Sequence, residues 1–225
     1  MNKLILSALQ TFLIGTVVLG IVLFLPAWTL NYWQAWVFIL VFMVCVTAVG
    51  LYLSIHDPDL LERRKKVGPA AETSPVQKAV MSIGLLGILA MLVVSVLDHR
   101  FGWSFVPPLL SIVGDVLVAL GLYMNVIVFK ENSFGGSTVE TFEAQKVIST
   151  GPYAIVRHPM YAGVLVMMIG IPLALGSLWG LLVLAIISPG LIWRIVDEEK
   201  LLKKDLPGYS QYMQKVRYRL VPYLW

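Results

Sequence analysis

From Leu4 to Ile55 the chain carries no charged residue. That run is about twice the roughly 20 apolar residues that cross a bilayer once, and in hydrocarbon every backbone N–H and C=O must be bonded inside its own segment. It therefore holds two membrane helices, Leu4 to Ala27 and about Ala35 to Ile55. The short polar turn Asn31-Tyr32-Trp33-Gln34 joins them with aromatics suited to an interface. No small-residue cleavage site follows Pro26-Ala27-Trp28, so the first span is expected to stay as an anchor. The remainder has the same character. The sequence is 58% hydrophobic and 13% charged, with a mean hydropathy of +0.82, which excludes a soluble domain of this length.

His56-Asp57-Pro58 ends the second span. Leu60 to Ser74 follows with Arg63, Arg64, Lys65 and Lys66 in a row, so it is an aqueous or interfacial loop. A third span is predicted from about Gln77 to Leu97, a turn at Asp98-His99-Arg100 and Pro107-Pro108, and a fourth span from about Leu110 to Phe129. A polar segment runs from Lys130 to Val156. After Pro159 the chain is apolar to Val196, interrupted by Gly170, Pro172, Gly176, Ser177 and Gly180. This predicts a tight helical hairpin bent at Gly176-Ser177, each arm short for a full crossing at about 1.5 Å per residue, with a re-entrant pair as the alternative. The predicted fold is one all-α integral membrane domain over residues 1–225, with about six transmembrane helices, four of them within 1–130, and a cytoplasmic carboxy-terminal helical tail.

Charge sets the orientation. With six crossings, 16 of the 17 Lys and Arg residues fall on one side and Arg100 alone on the other. The positive-inside rule then predicts a multi-pass protein with both termini, the 130–158 segment and the 194–225 tail in the cytoplasm. The net charge of +4 is accounted for by this topology, so no nucleic-acid partner is expected. Cys45, the single cysteine, excludes disulfides within the chain. There is no His/Cys/carboxylate set with metal spacing, no glycine-rich dinucleotide fingerprint and no phosphate loop, so no metal is expected.

Ionisable, aromatic and turn residues concentrate in Gly151-Pro152-Tyr153-Ala154-Ile155-Val156-Arg157-His158-Pro159-Met160-Tyr161-Ala162-Gly163. A proline restricts the residue before it to extended backbone and suits the first position of a helix, so a helix is predicted to start at Pro159. Its free N–H groups, with Arg157 and His158 just outside, form a site for an anionic group at the membrane face.

A second cluster, Asp197-Glu198-Glu199, falls where the last apolar helix leaves the membrane. Two readings stand. In one it is a solvated helix end, with Arg194 paired to Glu198 and Glu199 to Lys203 at i,i+4 spacing. In the other the hairpin returns the chain to its starting side and brings these carboxylates to Arg157 and His158. Taken alone, His158 reads more readily as an interfacial histidine or helix cap than as a catalytic group, and Tyr153 and Tyr161 as interfacial aromatics. Asp115, inside the fourth span, is expected to reach the outer interface, whereas Asn125 on the same span is a candidate to point into the site.

Gly-Pro-Tyr, then Arg-His-Pro-x-Tyr-x-Gly, an apolar hairpin, Glu-Glu-x-x-Leu and a tail rich in Tyr and Arg together resemble the isoprenylcysteine carboxyl methyltransferase and phospholipid methyltransferase superfamily. The resemblance covers about Val139 to Trp225, and Gln145-Lys146-Val147-Ile148-Ser149-Thr150 looks like its bacterial branch, which implies a bacterial inner membrane. It differs from many relatives at Leu206-Pro207-Gly208-Tyr209, where they have Phe-Gly and a longer spacing to Tyr. The resemblance implies a cofactor-binding region in 131–225 that holds S-adenosylmethionine. Tyr153, Arg157, His158, Pro159, Tyr161 and Gly163 would line the cofactor, Glu198 and Glu199 would hold its polar groups, and Arg217 or Arg219 would orient the acceptor.

The function so implied is methyl transfer to a lipophilic acceptor at the cytoplasmic membrane face, resembling protein-S-isoprenylcysteine O-methyltransferase. The acceptor would be a prenylated cysteine carboxylate, a phospholipid amine or a small thiol. Sterol reductases have a similar carboxy-terminal pattern, so an NADPH-dependent sterol or isoprenoid reductase is the competing enzyme. A membrane assembly protein that keeps the fold is the non-enzymatic alternative.

Overall fold

The computed structural model describes residues 2–72, 74–139 and 145–225. Thr73 in the predicted basic loop and residues 140–144 in the predicted polar segment therefore lie outside the described residues. The α-helices are α1 (Asn2–Ala27), α2 (Trp33–His56), α3 (Pro58–Lys65), α4 (Pro75–Phe101), α5 (Pro108–Glu131), α6 (Pro159–Ala174), α7 (Trp179–Asp205) and α8 (Tyr209–Lys215). No strand occurs among the described residues. Helices α3, α4, α5 and α6 all open on a proline, whose fixed φ suits a first turn and whose missing N–H costs nothing there.

Helices α1, α2, α4, α5 and α7 are long and apolar enough to cross a bilayer, and α6 is a shorter apolar helix. The 16 residues of α6 span about 24 Å at 1.5 Å per residue, short of the roughly 30 Å hydrocarbon core. The expectation of two short hairpin arms thus holds for α6 alone. Helix α7 has 27 residues and runs past the acidic cluster to Asp205. The basic stretch after α2 is also not simply a loop. Asp57 caps α3 by accepting a hydrogen bond from Leu60 N at 3.0 Å.

Close approach of α5 and α6 comes from glycines at matching spacing. A Cβ on Gly121 would lie 2.6 Å from Met167 N, one on Gly163 3.0 Å from Gly121 O, and one on Gly170 2.6 Å from Gly114 O. In lipid, helices gain nothing from burying apolar surface against each other, so backbone contact of this kind supplies the van der Waals energy. This pairing fixes where α6 starts relative to α5.

The hairpin between α6 and α7 turns on Gly176, whose φ of +71° is left-handed and favours glycine. Asp98 secures this turn. Although predicted to lie in a loop, it sits fully buried in the last turn of α4. Its carboxylate accepts from Ser104 N at 2.7 Å, Ser104 Oγ at 2.6 Å, Ser177 Oγ at 2.6 Å and Trp179 N at 3.4 Å. A buried carboxylate is tolerable only with its lone pairs filled, and here the donors come from both segments it joins. Asp98→Asn is expected to destabilise the protein in detergent by about 3 kcal/mol, since one oxygen is replaced by a donor facing donors. An unfolding midpoint unchanged from wild type would remove this role.

Asp115 departs from expectation. It is 5% exposed, and neither carboxylate oxygen has a hydrogen-bond partner among the described residues. It lies two turns into α5, which packs on both α2 and α6, so its side of the helix faces protein rather than the interface.

Candidate active site

The segment ahead of α6 is extended as Pro159 requires, with His158 at φ −124° and ψ 61°. Extended backbone leaves its N–H groups pointing sideways, and the tail takes them up: Arg157 N donates to Tyr218 O and His158 N to Arg219 O, both at 2.9 Å. The tail then folds back on itself, with Arg219 N and Leu220 N donating to Trp225 O at 2.8 and 3.0 Å. Apolar packing of Leu206, Tyr209, Tyr212 and Val216 with Tyr153 and Leu202 holds α8 against the end of α7.

The returning α7 brings the two polar clusters together. Glu199, 3% exposed, accepts from Arg157 Nε at 2.7 Å and from His158 Nε2 at 3.2 Å through Oε1, and from Arg219 Nε at 3.0 Å through Oε2. A carboxylate only accepts, so Nε2 of His158 carries the proton in this contact. Arg157 Nη1 also donates to Val216 O at 2.9 Å and Arg217 O at 2.8 Å. The i,i+4 pairs of a solvated helix end are not formed. Arg194 instead bonds Glu72 at 2.8 Å and Gln77 at 2.9 Å through Nη1, Ser137 O at 2.8 Å through Nη2 and Tyr161 Oη at 3.0 Å through Nε. Glu198 accepts from Tyr161 Oη at 2.6 Å, and Asp197 from Gln77 Nε2 at 2.6 Å.

Between these clusters lies a cleft of about 830 Å³, counting its open mouth. One wall is the motif itself, Tyr153, Arg157, His158, Pro159 and Tyr161. Glu198 and Leu202 of α7 and Tyr209 and Tyr212 of α8 form another, and the segment around Asn132 to Val139 a third. Glu198 is the one carboxylate among the lining residues. Tyr153 Oη accepts from Asn132 Nδ2 at 2.8 Å, and its carbonyl accepts from Tyr212 Oη at 2.8 Å. Burial pushes the Tyr153 phenol up to about 12, so it stays neutral. The Tyr209 hydroxyl is buried beside the cleft and has no hydrogen-bond partner among the described residues.

Of the residues singled out in the sequence, Tyr153, Arg157, His158, Pro159, Tyr161 and Glu198 line the cleft. Gly163 does not. It lies against Gly121 and Asn125 in the α5–α6 contact, and Asn125 itself donates to Gly121 O at 3.0 Å rather than pointing into the cleft. Glu199 stands behind the lining, where both its oxygens are occupied by Arg157, His158 and Arg219. The tail arginines separate: Arg219 reaches Glu199 and stacks its guanidinium 5.0 Å from the Trp225 ring, whereas the Arg217 side chain is exposed. Sequence reasoning missed Glu72, Gln77 and Asn132, and passed over the basic run of α3. Arg63 Nη2 donates to Ser133 O at 2.6 Å and Arg64 Nη1 to Gly135 O at 2.9 Å, bracing a wall of the cleft. A usable signal existed for Arg194, a cation inside the last apolar run. None existed for Glu72, whose partner is 122 residues away.

Residues 109–207 match the phospholipid methyltransferase family, so α5, the motif, the α6–α7 hairpin and the Glu pair fall within one known unit. The matched family belongs to the isoprenylcysteine carboxyl methyltransferase-like superfamily, and the match covers somewhat less than half of the chain. A second similarity lies with the Delta(14)-sterol reductase TM7SF2 of Mus musculus, 29% identical over 94 residues, which are 40% of this chain and 22% of that protein. The chain thus spans about a fifth of the length of the curated relative it matches. Of the cleft-lining residues, Tyr153, Arg157, His158, Pro159, Tyr161 and Glu198 lie in the matched segment, while Tyr209 and Tyr212 lie in the tail beyond it.

Proposed function

We propose that the protein is an S-adenosylmethionine-dependent methyltransferase that acts on a lipophilic acceptor at the membrane face, with the cleft as the donor site. The observation that carries this is the composition of the cleft. Its walls combine the Arg-His-Pro helix start, neutral tyrosines and one carboxylate, Glu198, beside the orphaned hydroxyl of Tyr209. This donor set fits the ligand: Glu198 for its cationic groups, Lys146 and the α6 N-terminus for its carboxylate, and the Tyr209 hydroxyl for a polar edge. When bound, S-adenosylmethionine supplies a methyl group activated on a sulfonium.

The chain's own part is positioning and exclusion of water. Tyr153, Tyr209 and Tyr212 close the cleft with apolar ring faces, and Arg157 and His158 are held rigid by Glu199. The acceptor is a prenylated cysteine carboxylate, a phospholipid amine or a small thiol, all of which a membrane-embedded fold could admit. The inner membrane, with cleft and both termini cytoplasmic, is the location the positive charge distribution favours.

The similarity to the sterol reductase favours a second reading, reduction by NADPH, and one experiment separates the two. Purified protein is expected to gain thermal stability with S-adenosylhomocysteine, about 2.7 kcal/mol at a concentration 100 times Kd, and none with NADPH. Glu198→Gln is expected to weaken S-adenosylmethionine binding by about 1–3 kcal/mol through the loss of a charge-assisted contact. Stabilisation by NADPH alone would replace the methyltransferase reading with the reductase.

A further inference from the structure

A second cavity, of about 890 Å³, lies among α4, α6 and α7. Its lining is hydrocarbon from Val80, Ile88, Val164, Leu184 and Leu191, and Arg194 is its one charged lining residue. Ile83 and Leu85, which also line it, are 54% and 45% exposed on the membrane-spanning surface of α4, so the mouth opens toward lipid. A cavity with this lining and this mouth takes a hydrocarbon chain: apolar walls offer a polar guest nothing to replace its water.

The two cavities share Tyr161, which lines both. Its ring is pinned across the shared wall from two sides. The hydroxyl donates to Glu198 at 2.6 Å and accepts from Arg194 Nε at 3.0 Å, and Arg194 is anchored in turn by Glu72, Gln77 and the carbonyl of Ser137. Methyl transfer needs the reacting atoms within about 3–3.5 Å and in line. A donor in the cleft and a chain-bearing acceptor in the apolar cavity satisfy this only if the phenol leaves the wall. The bond that holds it there ends on Glu198, the same carboxylate that faces the cleft.

We propose that Tyr161 is a gate between the two cavities, held shut by Glu198 and released when a cationic group entering the cleft competes for that carboxylate, so that the acceptor's chain reaches the donor only after the donor is bound. This rests on the cleft being the methyl-donor site. Tyr161 is then a positioning residue that imposes an order of binding, and Arg194 is the hinge post that keeps the freed phenol near the wall. The gate needs no new charge, since the incoming cation takes over the interaction that Tyr161 gives up.

The test uses the purified full chain in lipid nanodiscs with two probes: palmitic acid carrying a diazirine next to its carboxyl end, and sinefungin, an unreactive donor analogue with an amine in place of the sulfonium. Photolabelling of peptides containing Tyr153 and Tyr209, which line the cleft and not the apolar cavity, is read by mass spectrometry, and sinefungin binding is read separately by thermal shift. In wild type, labelling is expected to rise about tenfold on adding sinefungin, the size set by one charge-assisted hydrogen bond. Tyr161→Phe and Glu198→Gln, both of which preserve shape, are expected to show the high level without sinefungin and no further rise with it. If sinefungin binds while labelling stays constant and both variants match wild type, the gate is overturned and the donor site stands. If sinefungin does not bind, the donor site is overturned. The variants then decide the gate alone, high labelling supporting it and wild-type labelling overturning it.

Discussion

Glu199→Ala is expected to lower the stability of the protein by about 3–5 kcal/mol, the range for deleting one partner from a buried charge cluster. The side chain holds three donors at once, from Arg157, His158 and Arg219, and it is 3% exposed. Alanine leaves Arg157, itself 6% exposed, with two carbonyl acceptors but no counter-charge. It also cuts a tie between α7, the segment before α6 and the tail. The tail from Val216 to Trp225 should therefore become sensitive to limited proteolysis at temperatures where wild type resists. Arg219→Ala on top of Glu199→Ala should add little, because the contact they share is already gone. Wild-type stability of Glu199→Ala, or full additivity of the pair, would show that the cluster carries no such coupling.

Arg219→Ala is expected to reduce methyl transfer about 10²-fold, the cost of misplacing reacting groups by about 1 Å, while Arg217→Ala stays close to wild type. The two arginines are equivalent in sequence, but their side chains are not equivalent in space. Arg219 gives Glu199 a bond at 3.0 Å and its carbonyl fixes His158 N, whereas Arg217 contributes its carbonyl to Arg157 and leaves its guanidinium exposed. A backbone carbonyl survives substitution by alanine, and a side-chain fork does not. Arg219→Lys should fall between, since an ammonium replaces the planar fork by a point charge. Transfer of labelled methyl from S-adenosylmethionine into a membrane extract measures the rate, and donor binding by calorimetry separates misorientation from an empty cleft. Equal loss in the two single variants would return the tail arginines to the role of general positive charge at the membrane face.

The membrane class, four of the spans and the hairpin at Gly176-Ser177 were legible in the sequence because each rests on a local rule. A run without charge from Leu4 to Ile55 has one stable form in lipid, and the proline at 159 sets a helix start whatever surrounds it. Residues 151–163 were likewise visible, since ionisable groups stand out against an apolar background. The acidic cluster was ambiguous, because i,i+4 pairing and long-range pairing use the same residues. Only the return of α7 beside the segment before α6 decided it, sending Glu199 to Arg157, His158 and Arg219. The tertiary structure also divided the neighbours Glu198 and Glu199, which successive positions on a helix point about 100° apart, into one that faces the cleft and one that braces its wall. It moved Gly163 from the site to the α5–α6 contact, took Asp98 from a predicted turn into a buried clasp, and recruited Glu72 from a basic loop to Arg194. Those assignments depend on which helix faces which, and in a chain this apolar nearly every face is greasy enough to be buried or to meet lipid. Hydropathy therefore determined that helices form and where they end, while close glycine contacts and a few buried charges determined which of their residues meet.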